Sequence, residues 1–187
     1  MPEPFLPFRT ERLLVRAFAA ADVPSFARYR NDPNVARYQD WPLPYAEEVA
    51  QRLVDSQLGI DGPVAGEWVQ LALELDGELA GDVAVGLDEH ASVATLGYTL
   101  RPEHQGRGLG REAVAALIDR LFQRCGVHRV QASVDPANTA SIRLLEALGF
   151  AHEGLSRRAV LVRGEWADDD RWALLADEWA SPNRPME

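Results

Sequence analysis

The sequence predicts an α/β (mixed α+β) fold on a mostly antiparallel sheet of about seven strands with about four flanking helices. Three observations predict it. Apolar residues alternate in most strand-like runs and recur at three and four residues in others. Asp76-Gly77 joins two of the alternating runs directly, which makes them an antiparallel hairpin. Only one strand–helix–strand unit is legible, around residues 111–125, so the sheet has one parallel, right-handed crossover rather than a βαβ repeat.

In chain order, residues 13–18 read as a strand. Asp22 stands where a helix N-cap would, before a helix over 23–31 with Phe26 and Tyr29 on one side. The Pro-rich run Trp41-Pro42-Leu43-Pro44-Tyr45 breaks the chain, and helical spacing resumes over 46–58 through Val49, Leu53 and Leu58. Residues 59–66 form a loop; 67–75 and 78–87 are the hairpin strands. Residues 93–100 make the next strand, which Pro102 stops. The best helix follows over 111–125, with Val114, Leu117, Ile118, Leu121 and Phe122 on one face. A strand over 127–134 and a helix over 138–148, ended by Gly149, come next. Two long strands, 150–162 and 166–179, close the chain around Gly164-Glu165, the second with a helical alternative at its end.

Composition narrows the function. The 187 residues suit one domain, 1–187, without repeats or linkers. No apolar run approaches the roughly 20 residues that span a bilayer, and the first residues lack the basic and apolar regions of a signal peptide, so a cytoplasmic location is expected. A formal charge of −10 argues against nucleic-acid partners and anionic membranes, and suits a cationic substrate. All 19 basic residues are arginine, which excludes a lysine Schiff base. Cys125 is the one cysteine, so an internal disulfide and a cysteine-cluster metal site are excluded. At the end of an amphipathic helix, with no His–Asp pattern beside it, it reads as structural.

Gln105-Gly106-Arg107-Gly108-Leu109-Gly110, leading into Arg111-Glu112-Ala113, is the chemically informative segment. A glycine turn opening a helix leaves backbone N–H groups unpaired at its positive end, with no side chains to hold a phosphate away. A P-loop needs a lysine that the chain lacks. A dinucleotide fold needs G-x-G-x-x-G after the first strand, whereas these glycines run G-x-G-x-G late in the chain. The pattern Q-x-x-G-x-G and a purely structural turn remain.

With that loop, Leu96-Gly97-Tyr98-Thr99-Leu100-Arg101-Pro102 before it, Asn138-Thr139-Ala140-Ser141 after it, and Leu144-Leu145-Glu146-Ala147-Leu148-Gly149-Phe150 beyond, the chain resembles the GNAT superfamily of acyl-CoA-dependent N-acetyltransferases from Thr10 to about Trp179. Gly164-Glu165-Trp166-Ala167-Asp168 and the run to Trp179 resemble the subgroup that acetylates ribosomal-protein N-termini. The resemblance implies splayed fourth and fifth strands with acetyl-CoA between them. It implies a pyrophosphate on Gly106, Arg107, Gly108, Leu109, Gly110 and Arg111 beside Gln105, and a pantetheine arm along Leu100 and Arg101. The N–H near Thr99 or Leu100 would hold the thioester oxygen. Asn138 would contact the arm, against a bare helix-capping role, and Ser141 would face the sulfur, against a local backbone bond. No metal is implied. A homodimer fits the family, though no residue pattern specifies its interface.

Two positions depart from the family. Leu145 stands where many members carry a tyrosine that protonates the leaving thiolate, which leaves Ser141 or a water it holds; Thr95 stands where the ribosomal-protein subgroup often has glutamate. For the base that takes the amine proton, Glu67 and Asp82 on central strands, Glu89, His90 and Glu153 are candidates that spacing does not separate. Trp41, Tyr45, Trp166 and Trp172 are candidate aromatic walls for the acceptor, and residues 168–170 read as a solvated acidic turn. The expected activity is direct acetyl transfer from acetyl-CoA to a primary amine, a protein N-terminus or a small cationic amine. The alternatives are a non-catalytic acyl-CoA-binding module and an aminoglycoside-type resistance acetyltransferase.

Overall fold

The computed structural model describes residues 4–179. Its strands are β1 (Phe8–Arg9), β2 (Leu14–Arg16), β3 (Trp68–Leu75), β4 (Glu78–Leu87), β5 (Val93–Leu100), β6 (Arg129–Val134), β7 (Ala151–Val162) and β8 (Glu165–Leu175). They form one sheet in the order β1-β2-β3-β4-β5-β6-β8-β7. Every neighbouring pair is antiparallel except β5 and β6. The short β1 adds an eighth strand, so the family's fourth and fifth strands are the fifth and sixth here. The helices are α1 (Val23–Arg30), α2 (Pro33–Ala36), α3 (Glu47–Ser56), α4 (Leu109–Arg120) and α5 (Thr139–Ala147).

Strand alternation sorts the core into two layers. Leu71, Leu73, Val83, Val85, Leu96 and Val130 point to one face and pack against Val114, Leu117 and Ile118 of α4 and Leu145 of α5. Ala72 and Leu79 point to the other, against Phe26 of α1 and Ala50 and Val54 of α3. The Asp76-Gly77 hairpin has both turn residues at positive φ, 53° and 85°, as a type I′ turn requires.

Several elements differ from expectation for local reasons. Asp22 does not cap α1; its carboxylate accepts from the Ala19 N–H at 2.8 Å and pairs with Arg16 at 2.7 Å, closing the short turn before the helix. The helix expected over 111–125 starts two residues earlier, ends at Arg120 and widens into a π-turn (Leu121–Cys125) stopped by Gly126 at φ 68°. Residues 168–170 are not a solvated turn but part of β8. Asp168 accepts from the Arg158 N–H, Asp169 from the Ser133 hydroxyl, and buried Asp170 binds His152 and the Trp172 indole N–H. The closing strand ends at Leu175 in a turn, not a helix.

What positions the site is the end of β5. It pairs with β6 only from Val93↔Arg129 to Leu96↔Ala132, while its pairing with β4 runs on to Leu100↔Gly81. Beyond Leu96 the two parallel strands part, and β5 stays on β4. Gly81 lets it lie there: a Cβ at that position would sit 2.2 Å from the Thr99 carbonyl oxygen and 2.9 Å from the Leu100 Cα. The Arg101 N–H donating to the Ala80 carbonyl at 2.9 Å fixes the same end.

Candidate active site

The parting of β5 and β6 opens a cavity of about 550 Å³. The end of β5, the end of β6, the glycine turn, the first turns of α4 and α5, and α2 with Tyr38 and Gln39 line it. Tyr38 spans the opening, its hydroxyl donating to the Ala137 carbonyl at 3.1 Å before α5. Arg163, from the β7–β8 turn, holds the α2 segment from behind by donating to the carbonyls of Ala36 and Gln39, both at 2.8 Å.

In the glycine turn, Gly106 and Gly108 have φ of 71° and 77°, where an L side chain costs about 1–2 kcal/mol. Gly108 is the N-cap of α4, so the first N–H groups of that helix lack intrahelical partners at its positive end. Gln105 ties the turn to β5, its side-chain amide donating to the Leu100 carbonyl at 2.9 Å. The β1–β2 turn braces it from outside: Arg12 donates to the Arg107 carbonyl at 2.9 Å, and the Glu112 carboxylate accepts from the Thr10 hydroxyl, the Arg12 N–H and the Arg12 guanidinium at 2.5–2.7 Å. Burial opposes the Glu112 charge, but those donors outweigh it and hold its pKa below the ordinary value.

Backbone polarity at the end of β5 follows from the pairing. The Arg101 N–H donates to β4, so the Leu100 N–H and C=O, one residue earlier, face away from β4 toward the cavity, and those of Thr99 face β4. Of the two expected oxyanion donors, Leu100 is therefore the one turned to the cavity. Across the gap, Asn138 does cap α5, its side-chain oxygen accepting from the Ser141 N–H at 3.2 Å, which leaves its NH₂ as a donor. Ser141, one turn along, has its hydroxyl 2.6 Å from the Tyr98 hydroxyl. Burial pushes the Tyr98 pKa up to about 12, against a smaller downward effect of the Ser141 hydrogen bond, so the phenol stays protonated.

Leu100, Gln105, Gly106, Gly108, Gly110, Arg111, Asn138 and Ser141 thus share one cavity. Three expected contacts have side chains elsewhere. Leu109 is buried and anchors α4 in the core. Arg101 turns to the Leu79 carbonyl and Glu103. Arg107 is exposed, 3.4 Å from the His104 ring. Leu145 is fully buried among core side chains, so the family's tyrosine position does not face the cavity.

The acceptor-side expectations need more correction. Trp41 and Tyr45 are buried, and with Phe26 they enclose the guanidinium of Arg30, which lies 4.2, 5.1 and 4.2 Å from their respective ring centroids. The chain's own cation fills that aromatic site. Trp166 projects from the β7–β8 hairpin at 64% exposure, and Trp172 packs on His152 in the core. Glu67 is exposed at the start of β3, beside Trp68, which is paired with Gly86; Gly86 is paired in turn with Thr95, before the point where β5 leaves β6. Glu67 therefore stands at the wrong end of the sheet for a base. Asp82 is buried, accepting from the Tyr29 hydroxyl and from Gln70 at 2.5 Å and facing Arg30 at 3.6 Å. Glu153 is paired with Arg129, and Thr95 accepts from Gln131 at 3.0 Å. Asp135 is the carboxylate that lines the cavity, and it is bound to the Ala137 N–H at 2.7 Å. Sequence reasoning missed Asn34, Tyr98, Ser133 and Arg143 as lining residues, because their convergence depends on how the strands part.

Residues 12–151 match the family described as the Acetyltransferase (GNAT) domain. The chain is 33% identical over 176 residues to the uncharacterized N-acetyltransferase p20 of Bacillus licheniformis, across 91% of this chain and 97% of that one. It is 37% identical over 89 residues to the [ribosomal protein uS5]-alanine N-acetyltransferase of Escherichia coli, across 48% of this chain and 45% of that enzyme. Its fold matches a GNAT-family acetyltransferase structure from Bacillus anthracis with a TM-score of 0.82 at 25% identity, over 92% of this chain and all of that one. A glycine turn that opens α4, a β5 end parted from β6 and these matches agree: the chain belongs to the GNAT family, acetyltransferases that move an acetyl group from acetyl-CoA to an amine acceptor.

Proposed function

We propose that the protein acetylates an α-amine, on a peptide N-terminus or a small amine-bearing molecule, by direct attack on acetyl-CoA in a ternary complex. The pyrophosphate rests on the N–H groups of the glycine turn and the start of α4, with Arg111 and Arg143 at the rim. The pantetheine amides pair with the Asn138 NH₂ and with the second lone pair of the Leu100 carbonyl, whose first accepts from Gln105. The Leu100 N–H holds the oxygen of the tetrahedral intermediate, a contribution of about 3 kcal/mol for a well-placed donor. The hydroxyl of Ser141 donates a hydrogen bond to the sulfur as the C–S bond breaks. No metal takes part.

The observation that carries this reading is the divergence of β5 from β6, which brings Leu100, Asn138 and Ser141 to one cavity beside the turn. Among the described residues the carboxylate that lines that cavity is Asp135, which accepts from the Ala137 N–H, and this arrangement suits an acceptor that sheds its proton easily. An α-amine has a pKa of about 7.7–8.0, against about 10.4 for a lysine side chain, so a substantial fraction is neutral near pH 7.5 without a strong base. The E. coli relative is an alanine N-acetyltransferase of ribosomal protein uS5, and the one nitrogen of an alanine is its α-nitrogen. The experiment is thiol release from acetyl-CoA with short peptides of varied N-terminus, free amino acids and aminoglycosides. Release with α-amines and weak release with aminoglycosides are expected. Release with aminoglycosides alone would establish the resistance-enzyme alternative, and CoA binding without release from any amine would establish a binding module.

A further inference from the structure

The cavity holds one polar contact that neither the glycine turn nor the family resemblance accounts for. Tyr98 on β5 and Ser141 on α5 stand on opposite walls where the strands part, with their hydroxyl oxygens 2.6 Å apart. Tyr98 faces the α4 and α5 layer, because its strand neighbour Val83 does and the two are paired. The phenol also lies 3.4 Å from the Ser141 carbonyl, a long contact beside the short one.

Which hydroxyl donates decides what Ser141 does. A phenol is a far stronger acid than an aliphatic alcohol, so the phenol is the better donor and the serine oxygen the better acceptor. A serine in the first turn of a helix otherwise turns its hydrogen to local backbone. With its oxygen held by a donor from across the gap, the serine's own hydrogen is free for a partner within the cavity. We propose that Tyr98 is a positioning residue: its hydroxyl donates to Ser141 Oγ and orients the Ser141 hydrogen toward the departing sulfur of CoA. The inference rests on the role given to Ser141 above. Its bookkeeping closes without an additional co-reactant. The amine nitrogen forms the C–N bond and loses one proton to solvent; the sulfur leaves with the C–S bonding pair and takes up one proton from solvent. Ser141 and Tyr98 begin and end the cycle as neutral hydroxyls. The pair thereby takes the chemical part that Leu145 leaves vacant, with Ser141 on α5 and its support, Tyr98, on β5.

The test compares wild type with Tyr98→Phe, Ser141→Ala and the double variant, using acetyl-CoA and a pentapeptide with N-terminal alanine, or a free amino acid if the peptide gives no release. Tyr98→Phe removes one oxygen and preserves the ring, so the wall stays filled. The expected result is a fall in kcat of about tenfold in Tyr98→Phe, with KM for acetyl-CoA changed less than about threefold. Ser141→Ala falls at least as far, and the double variant is no slower than Ser141→Ala. CoA affinity by calorimetry and the melting temperature report folding separately; a merely structural tyrosine would move these and leave kcat per folded molecule unchanged. Wild-type kcat in Tyr98→Phe with a slow Ser141→Ala overturns the positioning role alone. A further loss in the double variant also overturns it, since Tyr98 would then act independently of Ser141. Wild-type kcat in Ser141→Ala removes Ser141 from the mechanism and this inference with it, while leaving acetyl transfer intact. Absence of release by wild type with any amine overturns the acetyltransferase reading as well.

Discussion

Gly81→Ala tests the claim that the cavity exists because β5 can lean on β4. A methyl group at position 81 would lie 2.2 Å from the Thr99 carbonyl oxygen and 2.9 Å from the Leu100 Cα. An ordinary carbon–oxygen contact is about 3.3 Å, so one of the strands must retreat by about 1 Å. Both atoms are backbone, so no rotamer change relieves them, whereas the Leu100 Cδ2, also at 2.9 Å, can turn aside. The Arg101 N–H bond to Ala80 resists separation, so the strain falls on the end of β5 and displaces it toward β6. Overpacking of this kind costs about 1–3 kcal/mol, which for a chain of this size lowers the melting temperature by roughly 3–10 °C. The same displacement moves the Leu100 N–H, and a misplacement of about 1 Å can cost about a hundredfold in rate. Thermal unfolding, calorimetric CoA binding and kcat on the Gly81→Ala variant measure the three effects. Gly97→Ala is the control for stability, since its added methyl would meet only the Ala84 Cβ at 3.6 Å, an ordinary contact. If Gly81→Ala melts and binds CoA as wild type does, the account of why the strands part is wrong.

Three further outcomes are expected. Gly108→Ala forces an L side chain to φ 77°, costs about 1–2 kcal/mol of stability and weakens CoA binding, both measurable by calorimetry. Glu112→Gln flattens the acid limb of the stability curve. The Glu112 carboxyl is held below its ordinary 4.5 in the folded chain, so its stabilisation is complete above that pH and is lost as pH falls through the lower folded value; denaturant titrations from pH 7 down to 3 measure the difference. Asp82→Asn leaves the Arg30 guanidinium buried without its counter-charge, with Nε already unpaired, and lowers unfolding free energy by about 3–5 kcal/mol in urea titration.

The elements that could be read from sequence are those whose causes are local. Asp76-Gly77 requires positive φ at both turn positions and has it. The i, i+3, i+4 pattern of Val114, Leu117 and Ile118 makes one buried helix face wherever the helix lies. Gly106 and Gly108 announce a close backbone approach, and Asn138 announces a cap. A cysteine at the end of an amphipathic helix reads as structural, and burial indeed raises the Cys125 pKa rather than activating it.

Tertiary structure decided what depends on pairing distant segments. The aromatic residues Trp41 and Tyr45 looked like a wall for a foreign cation; packing α1 against the following loop put Arg30 between them instead. Glu67 and Asp82 were equivalent as acids on strands, until register placed one at the far end of the sheet and the other under α1 in a bond with Tyr29. Tyr98 and Ser141 are 43 residues apart, and only the departure of β5 from β6 brings their hydroxyls together. The sequence by itself determined the glycine turn that opens α4, because a close backbone approach is a short stretch of conformation that glycine spacing records. The cavity was decided by the fold, because it is assembled from strand ends, helix starts and a turn whose side chains have meaning only once the sheet sets their distances.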